Sequence, residues 1–201
     1  MRIKKLLLPL ASLMAGCTIM IATASAQYQN VAIGTQSSCN LAGTSTFTGA
    51  LFNGRVVTIP ANGTATFQWI ATSQVPASAT LTPVSVSGSG IDPVYGPVAF
   101  SLDNTRPAPN STITANQAET SIPATGNLTF NLTVTIGAFP GVVYESIQPL
   151  TQNATLFAWP HNNAQYNSLN QVDFQDRAHP GPIAFSMATN TMPATVTAVN
   201  Q

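Results

Sequence analysis

The stretch Asn127-Leu128-Thr129-Phe130-Asn131-Leu132-Thr133-Val134-Thr135-Ile136 alternates polar and apolar side chains over ten residues. A strand points successive side chains to opposite faces. Leu128, Phe130, Leu132, Val134 and Ile136 therefore share one face, and the Asn and Thr residues share the other. One face on a core and one in water is the pattern of an antiparallel sheet. The same alternation recurs at Thr64–Ala71, where Ala65, Phe67, Trp69 and Ala71 share a face. Val98, Phe100 and Leu102 make a third such face, and Ile183, Phe185 and Met187 a fourth. Weaker strand candidates are Thr44–Thr48, Arg55–Ile59, Leu81–Val86, Ser111–Thr114, Val142–Ile147, Ala154–Trp159 and Thr195–Val199.

Two of these stretches belong to a repeat. Ile59-Pro60-Ala61-Asn62-Gly63-Thr64-Ala65-Thr66-Phe67-Gln68 returns as Ile122-Pro123-Ala124-Thr125-Gly126-Asn127-Leu128-Thr129-Phe130-Asn131. Gly96-Pro97-Val98-Ala99-Phe100-Ser101-Leu102 returns as Gly181-Pro182-Ile183-Ala184-Phe185-Ser186-Met187. The first phrase reads as a turn feeding a strand, because proline lacks a ladder donor and glycine permits positive φ. The two phrases stand 37 positions apart in the first unit and 59 in the second, so the second carries 22 more residues. Much of that excess falls around 151–172, whose amide-rich part from His161 to Gln171 reads as a loop.

The expected architecture is all-β: a two-sheet antiparallel sandwich of about ten strands. It is built from units at about 45–111 and 112–199, forming one domain over 27–201. Units this small are marginal alone without disulfides or a metal, which favours a shared core. Two tandem small β-modules are the alternative.

Residues 1–26 read as an export signal. Arg2, Lys4 and Lys5 precede an apolar run, and Ala24-Ser25-Ala26 supplies the small-x-small cleavage pattern. Leu13-Met14-Ala15-Gly16-Cys17 also resembles a lipoprotein box, which would anchor the chain through a lipidated Cys17. Cleavage there would leave an apolar tether where a polar spacer is usual, so a cut after Ala26 and a secreted or periplasmic destination are the preferred reading. No other segment has the roughly 18 apolar residues of a membrane span.

Without the signal the chain keeps three arginines, no lysine and six acids, for a net charge of −3. Nucleic-acid binding needs clustered cations and is excluded on that ground. Cys39 is then the lone cysteine, which rules out an intrachain disulfide and reads as a small buried side chain. The five Asn-x-Ser/Thr triplets, at Asn62, Asn110, Asn127, Asn131 and Asn153, arise naturally from Asn/Thr alternation along strands.

Candidate chemistry is sparse. Asp173, Asp176 and His179 form the densest titratable cluster and are the candidate metal ligands, since carboxylates and imidazole suit divalent ions. The competing reading is a solvated turn in which Arg177 pairs with one of the acids. Cys39 with His161 or His179 is the available nucleophile and base, and Asp173 with Asp176 an available carboxylate pair. Ser89 lacks the surroundings of a nucleophile elbow. No catalytic motif and no cofactor are indicated.

Trp159, His161, Asn163 and Tyr166 form the candidate ligand site, because flat rings with amide partners suit sugar recognition on a loop. The competing reading is that the aromatics pin the loop to the sheet. The expected function is that of an exported bacterial, non-enzymatic protein of the envelope or extracellular matrix. It would act by self-association, with edge strands and low net charge favouring it, or by ligand binding. A carbohydrate-binding module using the Trp159–Tyr166 loop, with polysaccharide as partner, is the first alternative. A small secreted hydrolase or metal-binding protein is the second.

Overall fold

The computed structural model describes residues 31–74, 77–107, 109–117, 122–157 and 164–189, and the backbone of 191–200. The signal segment, Cys17, Trp159, His161 and Asn163 lie outside the described residues. The chain is all-β, with thirteen strands among the described residues. Three are long: β1 (Gln36–Thr48), β2 (Val57–Gln74) and β3 (Ala77–Asp92). Ten are shorter: β4 (Gly96–Leu102), β5 (Ser111–Ala115), β6 (Ala124–Phe130), β7 (Leu132–Ile136), β8 (Tyr144–Ser146), β9 (Leu150–Leu156), β10 (Ala164–Ser168), β11 (Val172–Asp176), β12 (Phe185–Met187) and β13 (Thr191–Asn200). Among the described residues the one helical segment is a 3-10 turn, Ala50–Phe52.

All thirteen strands belong to one hydrogen-bonded antiparallel sheet, rather than the two facing sheets expected from the sequence. That sheet closes on itself twice. The order β1-β2-β3-β4-β7-β8-β11-β12 returns to β1 and makes an eight-stranded ring, here ring one. The order β1-β2-β3-β5-β6-β9-β10-β13 also returns to β1 and makes ring two. Both rings share the three long strands. At about 3.3 Å per residue, the 18 residues of β2 reach roughly 60 Å, enough to run the length of both.

The two outer long strands, β1 and β3, each change partner partway along. β3 pairs with β5 up to Leu81, opposite Ser111, and with β4 from Ser87, opposite Ser101. β1 pairs with β13 up to Leu41 and with β12 from Phe47. The five-residue gaps between these partners mark a waist where one ring ends and the other begins. Buried residues keep the same parity along β2: Val57, Ile59, Ala61, Ala65, Phe67 and Trp69. The same strand face therefore lines both rings, and the buried side chains form one continuous cluster.

The chain crosses the waist between β4 and β5, β6 and β7, β8 and β9, β10 and β11, and β12 and β13. Crossing backbone cannot pair within either ring, and side chains satisfy much of it. The Asp103 amide donates to the Asn131 carbonyl, and Asn131 Nδ2 donates to the carbonyls of Arg106 and Pro107. The Leu132 amide donates to Ser146 Oγ, and the Arg106 guanidinium donates to the carbonyls of Ser146 and Ile147. Asn170 accepts from the Thr151 amide and donates to the Pro149 carbonyl. These amides and this arginine stitch neighbouring crossings together, as buried backbone requires.

The long strands and crossings account for several departures from the expected elements. Pro60 and Asn62-Gly63 do not form a turn; they lie inside β2. Pairing with β3 starts at Asn62, so Pro60 sits where β2 has a partner on one side only, the position that tolerates a missing donor. Pro83 likewise lies in the gap where β3 has lost β5 and not yet met β4. The ten-residue strand at 127–136 is two strands, split at Asn131 and belonging to different rings. Its polar face is not in water throughout: Thr129, Asn131 and Thr133 are buried where the segment crosses the waist. The two repeated phrases also differ in pairing. The first copy of Ile-Pro-Ala-x-Gly lies in shared β2 and the second leads into β6 of ring two. Ile183 does not match Val98: it is exposed, and β12 begins only at Phe185.

Candidate functional site

The two rings are filled differently. Ring one packs aromatic against aromatic: Phe185 stacks on Phe174 at 4.9 Å and meets Phe47, Phe52 and Tyr144 edge-on or tilted at 5.7, 5.4 and 5.1 Å. Gly49, at φ 151°, lets the chain pass Phe185; a Cβ there would stand 2.5 Å from the Phe185 Cα. Ring two holds Trp69 and Tyr166 among small residues, including Ala65, Ala77, Ala79, Ala124, Ala154 and Ala164. Trp69 Nε1 donates to Ser37 Oγ at 3.0 Å, satisfying the one polar atom of the indole.

Between these fillings, at the waist, packing is incomplete. A cavity of about 20 Å³ is lined by Leu41, Ser45, Val86, Phe100, Phe130, Leu132, Leu150 and Met187. The wall draws on β1, β3, β4, β6, β7, β9 and β12, so strands of both rings contribute. The volume suffices for a water-sized body, but a buried water needs two to four polar partners. Ser45 is the one side chain on the wall with a polar atom. An apolar occupant therefore fits the wall chemistry better than water does.

A second, open cleft of about 160 Å³ lies in the fork where β3 changes partner. Thr82, Pro83, Leu102, Asp103, Asn104, Arg106 and Pro107 line it. Its charges are already engaged. Asp103 Oδ1 accepts from the amide and hydroxyl of Thr105, and Oδ2 lies 2.6 Å from Arg177 Nη2. Arg177 also reaches Glu145 at 3.1 Å, and Arg106 is held by backbone carbonyls. Burial alone would raise the Asp103 pKa, but Thr105 and Arg177 outweigh it and hold the carboxyl below its ordinary value.

The candidate metal ligands are not gathered into one site. Asp176 Oδ2 meets His179 Nδ1 at 2.9 Å, and its Oδ1 accepts from the Ala178 amide. Asp173 instead accepts from Ser186 Oγ at 2.6 Å, Gln171 Nε2 at 2.9 Å and Gln148 Nε2 at 3.4 Å. Those donors, Ser186 foremost, lower the Asp173 pKa. Among the described residues no three His, Cys, Asp or Glu side chains stand together as a metal would need. Arg177 does not pair with Asp173 or Asp176 but with Asp103 and Glu145.

Tyr166 is not on a loop. It lies in β10 and is 1 % exposed, so its ring faces the interior of ring two and offers no stacking platform to a sugar. Burial, with the Cys39 side chain nearby, raises its pKa. Cys39 faces the same interior, and burial pushes its thiol up to about 11, partly offset by a backbone hydrogen bond at Ala65. A thiol held protonated is a poor nucleophile. Ser89 lies in β3 opposite Asn62, and His179 follows β11 with its ring largely exposed.

Sequence reasoning did not single out the waist cavity. Its one local sign is a polar residue between two core residues, Phe130-Asn131-Leu132, together with Ser45 on the apolar face of β1.

No protein-family model and no curated protein matches the chain. Among solved structures, the chain is similar to DynF from the dynemicin biosynthesis pathway of Micromonospora chersina, with a TM-score of 0.66. The match covers 81 % of this chain and 79 % of that one at 12 % sequence identity, a likeness of fold alone.

Proposed function

We propose that this is an exported, non-enzymatic β-protein that binds a small apolar molecule at the waist between its two rings. The observation that carries the reading is the cavity walled by Leu41, Val86, Phe100, Phe130, Leu132, Leu150 and Met187, with Ser45 as its one hydroxyl. Eight-stranded rings are of the size that encloses side chains or one small ligand. Apolar pockets carrying few polar groups are the usual form of small-molecule sites. Met187 supplies adaptability, since an unbranched thioether reshapes a cavity at low cost. Export rests on the basic, apolar and small-x-small succession of residues 1–26.

The test is methyl NMR of the chain starting at Gln27, titrated with xenon. Shifts confined to Leu41, Val86, Leu132, Leu150 and Met187 are the expected result, with a rise in melting temperature that scales with ligand concentration. Shifts spread evenly over surface methyls would overturn the reading. Leu132→Ala enlarges the space and is expected to admit benzene, for which the cavity of about 20 Å³ in the unaltered chain is too small.

A second reading, self-association, is favoured by a different feature. Val56, Ile91 and Val94 are large apolar side chains left exposed where the strand β2 begins and β3 turns into β4. Ring closure removes the free strand edges that edge-to-edge addition uses, so contact would be face to face. Sedimentation of Ile91→Lys against the unaltered chain tests it: a concentration-dependent dimer present in the latter and absent in the variant supports this reading.

A further inference from the structure

We propose that Met187 is the gate of the waist cavity, that Phe185 is its pivot, and that the Asp173–Ser186 hydrogen bond is its latch. The inference rests on the cavity being a ligand site.

Ring one closes through a short ladder, no longer than the one between β7 and β8. β12 has three residues and meets β1 at two register positions, Phe47↔Met187 and Thr48↔Ser186. It meets β11 at three, from Val172↔Met187 to Phe174↔Phe185. The two ends of this strand are held by different forces. At one end Phe185 is enclosed by Phe47, Phe52, Tyr144 and Phe174, and it cannot leave without exposing five rings. At the other end Met187 stands opposite Phe47 in the β1 ladder and borders the cavity together with Phe100 and Phe130. The Ala188 amide, which donates to the Thr46 carbonyl at 2.9 Å, extends the backbone pairing at that end.

Between the two ends sits Ser186. Its Oγ donates to Asp173 Oδ1 at 2.6 Å, the shortest side-chain contact of the carboxylate. The same carboxylate accepts from Gln148, two residues before Leu150 on the opposite cavity wall. The backbone carbonyl of Asp173 accepts from the Ile147 amide at 2.7 Å. Asp173 thus ties β12 to the β8–β9 crossing and holds Met187 and Leu150, two walls of one cavity, at fixed separation. Releasing it frees the Met187 end and leaves the Phe185 end anchored. A hydrogen bond to a charged acceptor is stronger than a neutral one, which suits a latch.

The experiment compares Ser186→Ala and Asp173→Ala with the unaltered chain, by amide hydrogen exchange and by the rate of xenon entry. Ser101→Ala is the control, because it removes a similar hydroxyl contact, to Thr133 at 2.8 Å, elsewhere in ring one. Both latch variants are expected to exchange about tenfold faster at Met187 and Ala188 and to admit xenon faster by a similar factor, as loss of one charged hydrogen bond implies. Phe174 and Phe185 amides keep their protection. Unchanged exchange at Met187 and Ala188 overturns the latch, as does equal acceleration at Phe185 or in Ser101→Ala. Faster exchange with unchanged xenon entry overturns the gate. Failure of the unaltered chain to bind xenon overturns the cavity reading instead, and the exchange comparison still judges the latch.

Discussion

Ring one and ring two have equal strand number, share three strands and are lined by the same strand face, yet they are filled on different plans. In ring one four aromatic rings meet at a fifth, that of Phe185. In ring two the largest side chains, Trp69 and Tyr166, are buried on strands that also carry alanines, with Phe67 tilted against Phe130 at 6.4 Å. Gly126 leaves room for one of them: a Cβ there would lie 3.1 Å from Tyr166 Oη. Equal barrels thus do not need equal cores. What must match is total volume, and a large residue beside a small one satisfies it as well as several of middling size.

The comparison breaks most visibly at the two anchors. Phe185→Ala and Trp69→Ala are each expected to cost about 3–5 kcal/mol, the usual range for a deleted core aromatic. Urea titration of both variants checks the magnitude. Methyl and ring NMR checks the location, because the Phe185 lesion should disturb Phe47, Phe52, Tyr144 and Phe174 while the Trp69 lesion leaves them unmoved. Equal disturbance of both interiors by either variant would mean the rings are one packing unit.

Next in size is the shared wall. Gly63 on β2 faces Gly88 on β3, and a Cβ on Gly63 would run into the Ser87 carbonyl, a backbone atom that cannot step aside. Gly63→Ala is expected to cost about 1–3 kcal/mol by overpacking, and to lower protection in both rings, since both use these strands. Protection lost in one ring alone would show that the wall does not couple them.

The polar stitching of the waist comes third. Asn131→Ala removes the donor to the Arg106 and Pro107 carbonyls and should cost about 1–3 kcal/mol, the usual penalty for stranding buried acceptors. Differential scanning calorimetry measures it. A loss well under that range would show that water replaces the amide, and that the crossings are wetter than their burial implies.

Acid should act on the same region and on one corner of ring one. Asp103 and Asp173 titrate below the ordinary carboxylate value, and so does Asp92, whose carboxylate accepts from the Tyr95 and Val94 amides with Arg55 nearby. A carboxyl whose folded pKa is depressed stabilises fully above its unfolded pKa, near 3.9, and that contribution is lost as pH falls through the folded value. Stability is therefore expected to hold from neutral pH down to about pH 4 and to decline below it. Asp173→Asn should flatten part of that decline in a urea-midpoint series. The smallest expected effect is at Cys39: its buried, protonated thiol should resist alkylation at neutral pH until the chain is unfolded.

Much of the strand content is legible in the alternation of apolar side chains, because burial on one strand face imposes period two whatever the neighbours. Phe67, Trp69, Leu128, Phe130, Val134 and Phe185 are all buried as their positions predict. What alternation does not carry is which strand pairs with which. Pro60 and Asn62-Gly63 look like a turn because such residues usually end strands, and only the one-sided pairing of β2 lets them stay inside one. Asn131 looks like one more outward residue, and its role as a crossing appears only when Arg106, 25 positions earlier, is beside it. The stretch around Tyr166 reads as a loop because its neighbours are amides. Yet those polar neighbours, Gln165 and Asn167, point outward while Tyr166 fills ring two, which is strand alternation on too short a run to recognise. The Asp173–His179 grouping is adjacent in sequence, but β11 commits Asp173 to Ser186 and leaves Asp176 to His179.

The order in which the strands are laid down has a consequence for how the molecule is made. After the three shared strands, successive segments serve ring one, ring two, ring one again and so on, and the closing strand of each ring comes at the end of the chain. Ring one waits for Phe185–Met187, and ring two for Thr191–Asn200. A chain lacking Phe185–Met187 and Thr191–Asn200 lacks the closing strand of both rings, and with it Phe185, on which the ring-one aromatics meet. Its earliest strands must wait for the latest, so contacts that join distant parts of the chain form last and folding is slow for its size. Closure of both rings is therefore expected as a late step of folding.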